Sequence, residues 1–322
     1  DIIHALPVLR LIKRQRPDWI VHWWIAKHFA PILEMDGDIA ALHHFHRSGW
    51  GTRKGLSRGV MQLIRLRNEQ FDVVIDLQGL ARSALHGWLA NASYTIGLHQ
   101  HREGAAALYD VAIERPTPQT HAVDWCRKVL PALGLESEFD FEWLPPRPWV
   151  ADKLVDQGYL PGKRWMAVCP GARWHSKQWP LELYANLIKE IGDDPNVYFI
   201  IVGGAEDRTL GKHLSMFDRC LDLTGKTTLP ELVEWLRVCD VLVSNDTGPM
   251  HIAAALGTPT VSLFVPTDPG RTGPYQTRGT VLRHTELECV PCLQRHCSRA
   301  IDRECLRQIT LDQVSQAIAA CE

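Results

Sequence analysis

Asp246-Thr247-Gly248-Pro249 has the residue types of a helix start that faces an anion. Thr247 can cap the helix, Gly248 lets a ligand approach the backbone, and Pro249 suits the first helical turn. The free amides of such a turn favour negative charge, and His251, one residue further on than Met250, can point at the same ligand. An ordinary capped helix uses the same residues, so the motif alone leaves both readings open. Lys177 stands with Arg173 and His175 ahead of a Trp-Pro pair, where an ammonium can neutralise a diphosphate as a point charge. Taken singly, a solvated loop lysine is the commoner use of that residue. Glu206 follows Gly203-Gly204; a carboxylate there can accept both hydroxyls of a ribose, or serve as a first-turn helix charge.

Other motifs exclude chemistry. The chain has no G-x-G-x-x-G, which argues against a nicotinamide dehydrogenase. Gly225-Lys226-Thr227 resembles the end of a phosphate-binding P-loop, but Cys220 stands where that pattern requires glycine. Asp36-Gly37-Asp38 has the D-x-D spacing that can hold a metal-bound diphosphate, yet it is better read as a tight turn. Cys289, Cys292, Cys297 and Cys305 give C-x2-C-x4-C-x7-C, a soft-ligand set for zinc or an iron–sulfur cluster, or else a small metal-free loop. The set supplies local structure rather than a nucleophile.

These residues need a scaffold that brings them together. Short runs rich in β-branched residues alternate with helical patterns, the signature of parallel βαβ units, so an α/β fold is expected. In the second half the pattern predicts strands at Trp165–Cys169, Val197–Val202, Val241–Ser244 and Thr260–Phe264, with helices at Pro180–Ile191, Leu229–Val238 and Pro249–Leu256. The loops carrying Lys177, Glu206 and Asp246, and a further P-T-D-P loop at 266–269, each follow a strand directly. In a parallel sheet all of them emerge at the carboxyl edge, where open α/β sheets bind ligands. The first half predicts an amphipathic helix over Ile2–Arg16, a strand near Trp19–Trp24, a helix after Ala26, a basic loop over Arg47–Arg58, a helix through Met61–Asn68, a strand at Val73–Leu77 and a helix from Leu80. The W-L-P-P-R-P run at 143–148 predicts a linker near 143–163, because proline lacks a donor and fixes φ.

At 322 residues the chain is long for one compact domain, so two are expected, over 1–150 and 160–322. Its net charge of −2 argues against a general nucleic-acid binder, which needs a positive field. No window approaches the roughly 18 uninterrupted apolar residues of a membrane span, and no leader opens the sequence, so a soluble, cytoplasmic protein is expected. The nine cysteines fit reduced thiols in a chain of this size.

Read together, D-I-I-H-A-L-P at 1–7, F-D-V-V-I-D-L-Q-G-L at 71–80, S-K-Q-W-P at 176–180, S-N-D-T-G-P-M-H-I-A-A-A-L-G-T-P at 244–259 and P-T-D-P-G-R-T-G-P-Y at 266–275 resemble the bacterial heptosyltransferases of glycosyltransferase family 9. The resemblance covers essentially the whole chain. It implies a GT-B architecture: two Rossmann-like domains with parallel sheets facing across a cleft, acceptor on the first and donor on the second, the latter with a cysteine-rich tail. The activity implied is inverting transfer of heptose from ADP-heptose to the Kdo- or heptose-bearing lipid A core of lipopolysaccharide.

Carried over residue by residue, the resemblance assigns Asp1 as the base on the acceptor hydroxyl and Lys177 as the diphosphate contact. It places Glu206 on the ribose, and Asp246, Thr247, Gly248 and His251 around the phosphates, with adenine near Thr224–Leu229. No metal or other cofactor is required for the reaction so described. Family members begin with a short strand ending in glycine before the aspartate, so a truncated sequence is expected here. Arg47, Arg53, Lys54 and Arg58 suit the phosphate and carboxylate groups of the acceptor, or form a solvated loop. Transient contact with the inner membrane through such basic residues is also expected. The alternatives are another GT-B nucleotide-sugar enzyme, such as a different sugar transferase or an epimerase, and an inactive nucleotide-sugar-binding or metal-sensing protein.

Overall fold

The computed structural model describes residues 2–45, 61, 64–100, 103–138, 142–275 and 278–321. The chain divides into two compact units, residues 1–143 and 144–322. In the first, β1 (His22–Ala26) and β2 (Ala41–Phe45) pair in parallel, and β3 (Val73–Asp76), β4 (Tyr94–His99) and β5 (Val111–Glu114) form a second parallel sheet. The expected helix is present over Ile2–Gln15, and most of it lies in the core. Ile3 through Leu9 are all buried, and Leu11 and Ile12 with them. A helix apolar on nearly every side belongs in a core, and here it packs on the helix Ala122–Arg127 with Ile96, Leu98 and Trp125. Arg10 on that helix bonds both Asp36 and Asp38, which makes the Asp36-Gly37-Asp38 segment a salt-bridged turn.

The second unit holds one parallel six-stranded sheet, built from β6 (Arg164–Cys169), β7 (Val197–Ile201), β8 (Cys220–Asp222), β9 (Val241–Asn245), β10 (Thr260–Leu263) and β11 (Gly279–Leu282). β6, β9 and β10 are almost wholly buried, as strands covered on both faces must be, and they are correspondingly apolar. The order is β11-β10-β9-β6-β7-β8. Strand succession therefore runs outward from β6 in one direction and from β9 in the other, and the reversal between them is the point at which open α/β sheets leave a crevice.

Local sequence explains the helix ends. Thr228 and Glu231 form a reciprocal capping box on Leu229–Val238, and Thr310 and Gln313 do the same on Leu311–Ala319. Gly257 at φ 76° closes Gly248–Leu256. The expected linker is shorter than the proline run implies. Pro148–Asp156 is a helix of the second unit, packed on Leu229–Val238, with Gln157 accepting the Trp235 indole N–H at 2.8 Å. Proline at the first helical position loses only a donor that has no helical partner anyway.

Candidate functional site

Asn245, the last residue of β9, is fully buried and ties three segments together. Its Oδ1 accepts the Trp179 backbone N–H at 3.0 Å and the Tyr184 hydroxyl at 3.1 Å, and its Nδ2 donates to the Pro170 carbonyl at 2.9 Å. One amide thus holds the loop after β6 and the start of helix Leu181–Ile191 against the end of β9. Burial of an amide is tolerable only when its groups are paired, and this one is paired on both sides.

The next residue, Asp246, carries the polar centre. Its Oδ2 accepts the Lys177 ammonium, delivered by the loop after β6, and the Thr267 hydroxyl at 2.6 Å, delivered by the loop after β10. The Lys177 and Asp246 side chains are only 16% and 7% exposed. Lys177 also lies over the Trp174 ring, 4.9 Å from its centroid, a cation–π contact. The structure therefore brings Lys177 and Asp246 into direct contact, where the sequence had placed them separately on one anion. An ammonium has three donors, and Asp246 occupies one, so the pair can still present N–H groups to an anion while remaining neutral by itself.

Thr247 does not cap the helix Gly248–Leu256 as expected: no hydrogen bond runs from its side chain to the first turn, and its hydroxyl lies 3.6 Å from the Cys169 sulfur. The turn's amides are thereby left for another acceptor. Gly248 is exposed, and a Cβ there would meet nothing within 4 Å, so the space in front of the helix start is open. His251 lies in the first turns of the same helix and is partly buried.

Glu206 sits at the same sheet edge in the turn Ala205–Asp207 after β7, exposed, with its carboxylate folded back over Gly204. β7 and β9 flank β6, so Glu206 and Asp246 follow strands about 10 Å apart. Asp207, which sequence reasoning passed over, is the buried member of this turn. It accepts the Gly204 N–H at 2.8 Å, and burial raises its carboxyl above the ordinary carboxylate range despite that bond. Its oxygens fill the space where Gly171 and Gly203 lack side chains. Thr224 is fully buried and bonded to Asp222, and Lys226 is tied to the same carboxylate at 2.7 Å. The Gly-Lys-Thr run therefore braces the β8 end.

The cysteine-rich tail latches onto these loops. Ser176 donates its N–H to the Arg295 carbonyl at 3.2 Å and its hydroxyl to the Gln294 carbonyl at 2.5 Å. Arg303 reaches the Gln178 carbonyl at 2.9 Å, His175 pairs with Asp302 at 3.1 Å, and the Leu293 N–H bonds the Pro266 carbonyl at 2.9 Å. The backbone on either side of Lys177 is thus held by residues 293–303. Cys289, Cys292, Cys297 and Cys305 are all free. Burial, reinforced by its three cysteine neighbours, lifts the Cys305 thiol to about 11. No three of these sulfurs come within 4.8 Å of one another, so the set is not gathered at metal-ligand spacing.

Asp1, Arg47, Arg53, Lys54 and Arg58 lie outside the described residues. Among the described residues no helix is long and apolar enough to cross a membrane. Asn245, Thr267 and Trp174 complete the site and were not singled out from sequence. Asn245 and Thr267 fall within the quoted motifs, but their bonding partners lie on other loops.

The sequence profile of glycosyltransferase family 9 (heptosyltransferase) matches residues 61–301. The chain is 29% identical over 310 residues to lipopolysaccharide heptosyltransferase 1 of Pseudomonas aeruginosa, spanning 92% of this chain and 84% of that protein. It is 25% identical over 292 residues to the lipopolysaccharide core heptosyltransferase OpsX of Haemophilus influenzae, spanning 88% and 80%. Among solved structures, E. coli ADP-heptose LPS heptosyltransferase II superposes with a TM-score of 0.80 at 20% identity, over 100% of this chain and 95% of that one. E. coli heptosyltransferase WaaC with ADP superposes with a TM-score of 0.79 at 23% identity, over 100% and 96%. At such identities the likeness carries the fold, which is GT-B with two α/β units in tandem.

Proposed function

The chain belongs to glycosyltransferase family 9, and on that premise we propose that it transfers heptose from ADP-heptose to the inner core of lipopolysaccharide. The observation that carries the reading is the Lys177–Asp246–Thr267 cluster, set at the strand reversal beside an uncapped, open helix start. In this reading the second unit takes the donor. Its diphosphate lies on the amides ahead of Gly248–Leu256 and against Lys177, its ribose on Glu206, and its adenine beside the backbone near Thr224–Leu229. His251 faces the phosphates from the same helix.

The first unit takes the Kdo- or heptose-bearing lipid A acceptor, with Arg47, Arg53, Lys54 and Arg58 on its anionic groups. Asp1 removes the proton from the acceptor hydroxyl, the oxygen forms its bond to the anomeric carbon, and the bond to the phosphate oxygen breaks with its electron pair leaving on ADP. One displacement inverts the anomeric centre. Negative charge growing on ADP is met by Lys177 and the helix amides, fixed dipoles that need no rearrangement during the step and no divalent ion. Such an enzyme works in the cytoplasm against the inner membrane surface, drawn there by basic residues rather than by a span.

The test is incubation with ADP-heptose and a heptose-deficient Kdo–lipid A acceptor, with the new linkage read by NMR. Transfer with inversion is expected, and Asp1→Asn is expected to abolish it while leaving ADP affinity nearly intact. Transfer at the wild-type rate by that variant removes Asp1 from the mechanism, and turnover only of other nucleotide sugars overturns the donor assignment.

A further inference from the structure

In the parallel register of β1 and β2, His22 pairs with Ala41 and Trp24 with His43. Alternation along each strand puts residues 22, 24, 41 and 43 on one face of this two-stranded sheet, and the two imidazoles meet there diagonally. His22 Nδ1 lies 3.1 Å from His43 Nε2, with ring centroids 5.2 Å apart. Phe71 stands edge-to-face against both rings, at 5.3 and 6.3 Å and interplanar angles of 84° and 90°. Two residues before Phe71, Glu69 brings a carboxylate oxygen within 4.8 Å of both imidazole nitrogens. Among the described residues this is the only set of three His, Cys, Asp or Glu side chains gathered so closely.

We propose that His22, His43 and Glu69 form a binding site for one divalent transition-metal ion of the Zn2+ type in the first unit. Two nitrogens and one carboxylate oxygen are the donor set such ions take, whereas Ca2+ and Mg2+ favour oxygen. Zinc–nitrogen bonds of about 2.0–2.1 Å in tetrahedral geometry place two ligating nitrogens about 3.3 Å apart, close to the 3.1 Å observed. The exposed Glu69 side chain has the freedom to close the remaining distance. The bound ion would join β1, β2 and the approach to β3, with a fourth position left to water. Without an ion the two rings share a hydrogen bond. The site is independent of the donor reading of the second unit.

The experiment is titration of chelator-stripped protein with Co2+, followed by visible absorption, alongside thermal unfolding with and without Zn2+. Cobalt on nitrogen and oxygen shows d–d bands without the thiolate charge-transfer bands that ligation by the tail cysteines would add. The expected result is one such site per chain, at least about tenfold weaker in His43→Gln and in Glu69→Gln, with a Zn2+-dependent rise in unfolding temperature that these variants lose. Glu69→Gln alters an exposed side chain, so it reads the site even where His43→Gln fails to fold. Equal binding by wild type and Glu69→Gln, or cobalt held only through sulfur, overturns the proposal.

Discussion

Lys177 and Asp246, 69 residues apart in sequence, meet as an ion pair between the loops that leave β6 and β9. The pair lies where strand succession reverses and beside the open start of Gly248–Leu256. An unpaired aspartate there would repel a diphosphate and an unpaired lysine would be desolvated alone; together they leave a neutral, donor-rich edge. Breaking a largely buried pair leaves an uncompensated charge, which is worse than removing both partners.

Lys177→Ala is therefore expected to weaken ADP binding about tenfold or more, through the lost donor and the exposed repulsion of Asp246. Lys177→Ala combined with Asp246→Asn is expected to recover part of that loss. Isothermal titration on the four members of this cycle decides it, and a double variant weaker than Lys177→Ala alone would refute the coupling.

Asn245→Ala removes partners from the Trp179 N–H, the Tyr184 hydroxyl and the Pro170 carbonyl in a dry interior. The expected loss is about 2–4 kcal/mol, read from urea unfolding. A loss well below 1 kcal/mol would mean that water or relaxed geometry replaces those bonds.

Gly171→Ala drives a Cβ into the Asp207 carboxylate. Overpacking of this kind costs about 1–3 kcal/mol. Adding Asp207→Ser to Gly171→Ala is expected to return part of it, because the shorter side chain vacates the space. Equal stability of the single and double variants would place the strain elsewhere.

Asp207 also sets a pH dependence. Its carboxyl is raised from the ordinary 3.8 by burial, so the folded chain holds that proton more tightly than the unfolded one. The associated stability is fully present below 3.8 and is lost as pH rises through the folded value. Asp207→Asn, which keeps an acceptor for the Gly204 N–H, is expected to gain on wild type as pH rises through that window. Parallel unfolding curves for the two proteins against pH would rule the effect out.

Much of the second unit was legible in the amino-acid order. Trp165–Cys169, Val241–Ser244 and Thr260–Phe264 are apolar runs that only a covered parallel strand explains, and their loops had to share one edge once the strands were parallel. The capping box at Thr228 and the glycine at 257 mark helix ends by purely local chemistry. Tyr94–His99 is not among the strands expected from the sequence; within it Gly97 makes room for the Tyr109 ring, which is packed where a Cβ would stand. β8, with three residues, is too short to show a period.

Residue types and strand alternation were sufficient to place Lys177, Glu206 and Asp246 on one rim, because periodicity and chain direction are properties of neighbouring residues. Only the tertiary structure decided that Lys177 bonds Asp246, that the Thr247 hydroxyl turns toward Cys169 and away from its own helix, that Asn245 binds three segments, and that the cysteine-rich tail grips the Lys177 loop. Each is a choice of partner between segments distant in sequence. Burial and through-space distance make that choice, and neither exists until the sheet has formed.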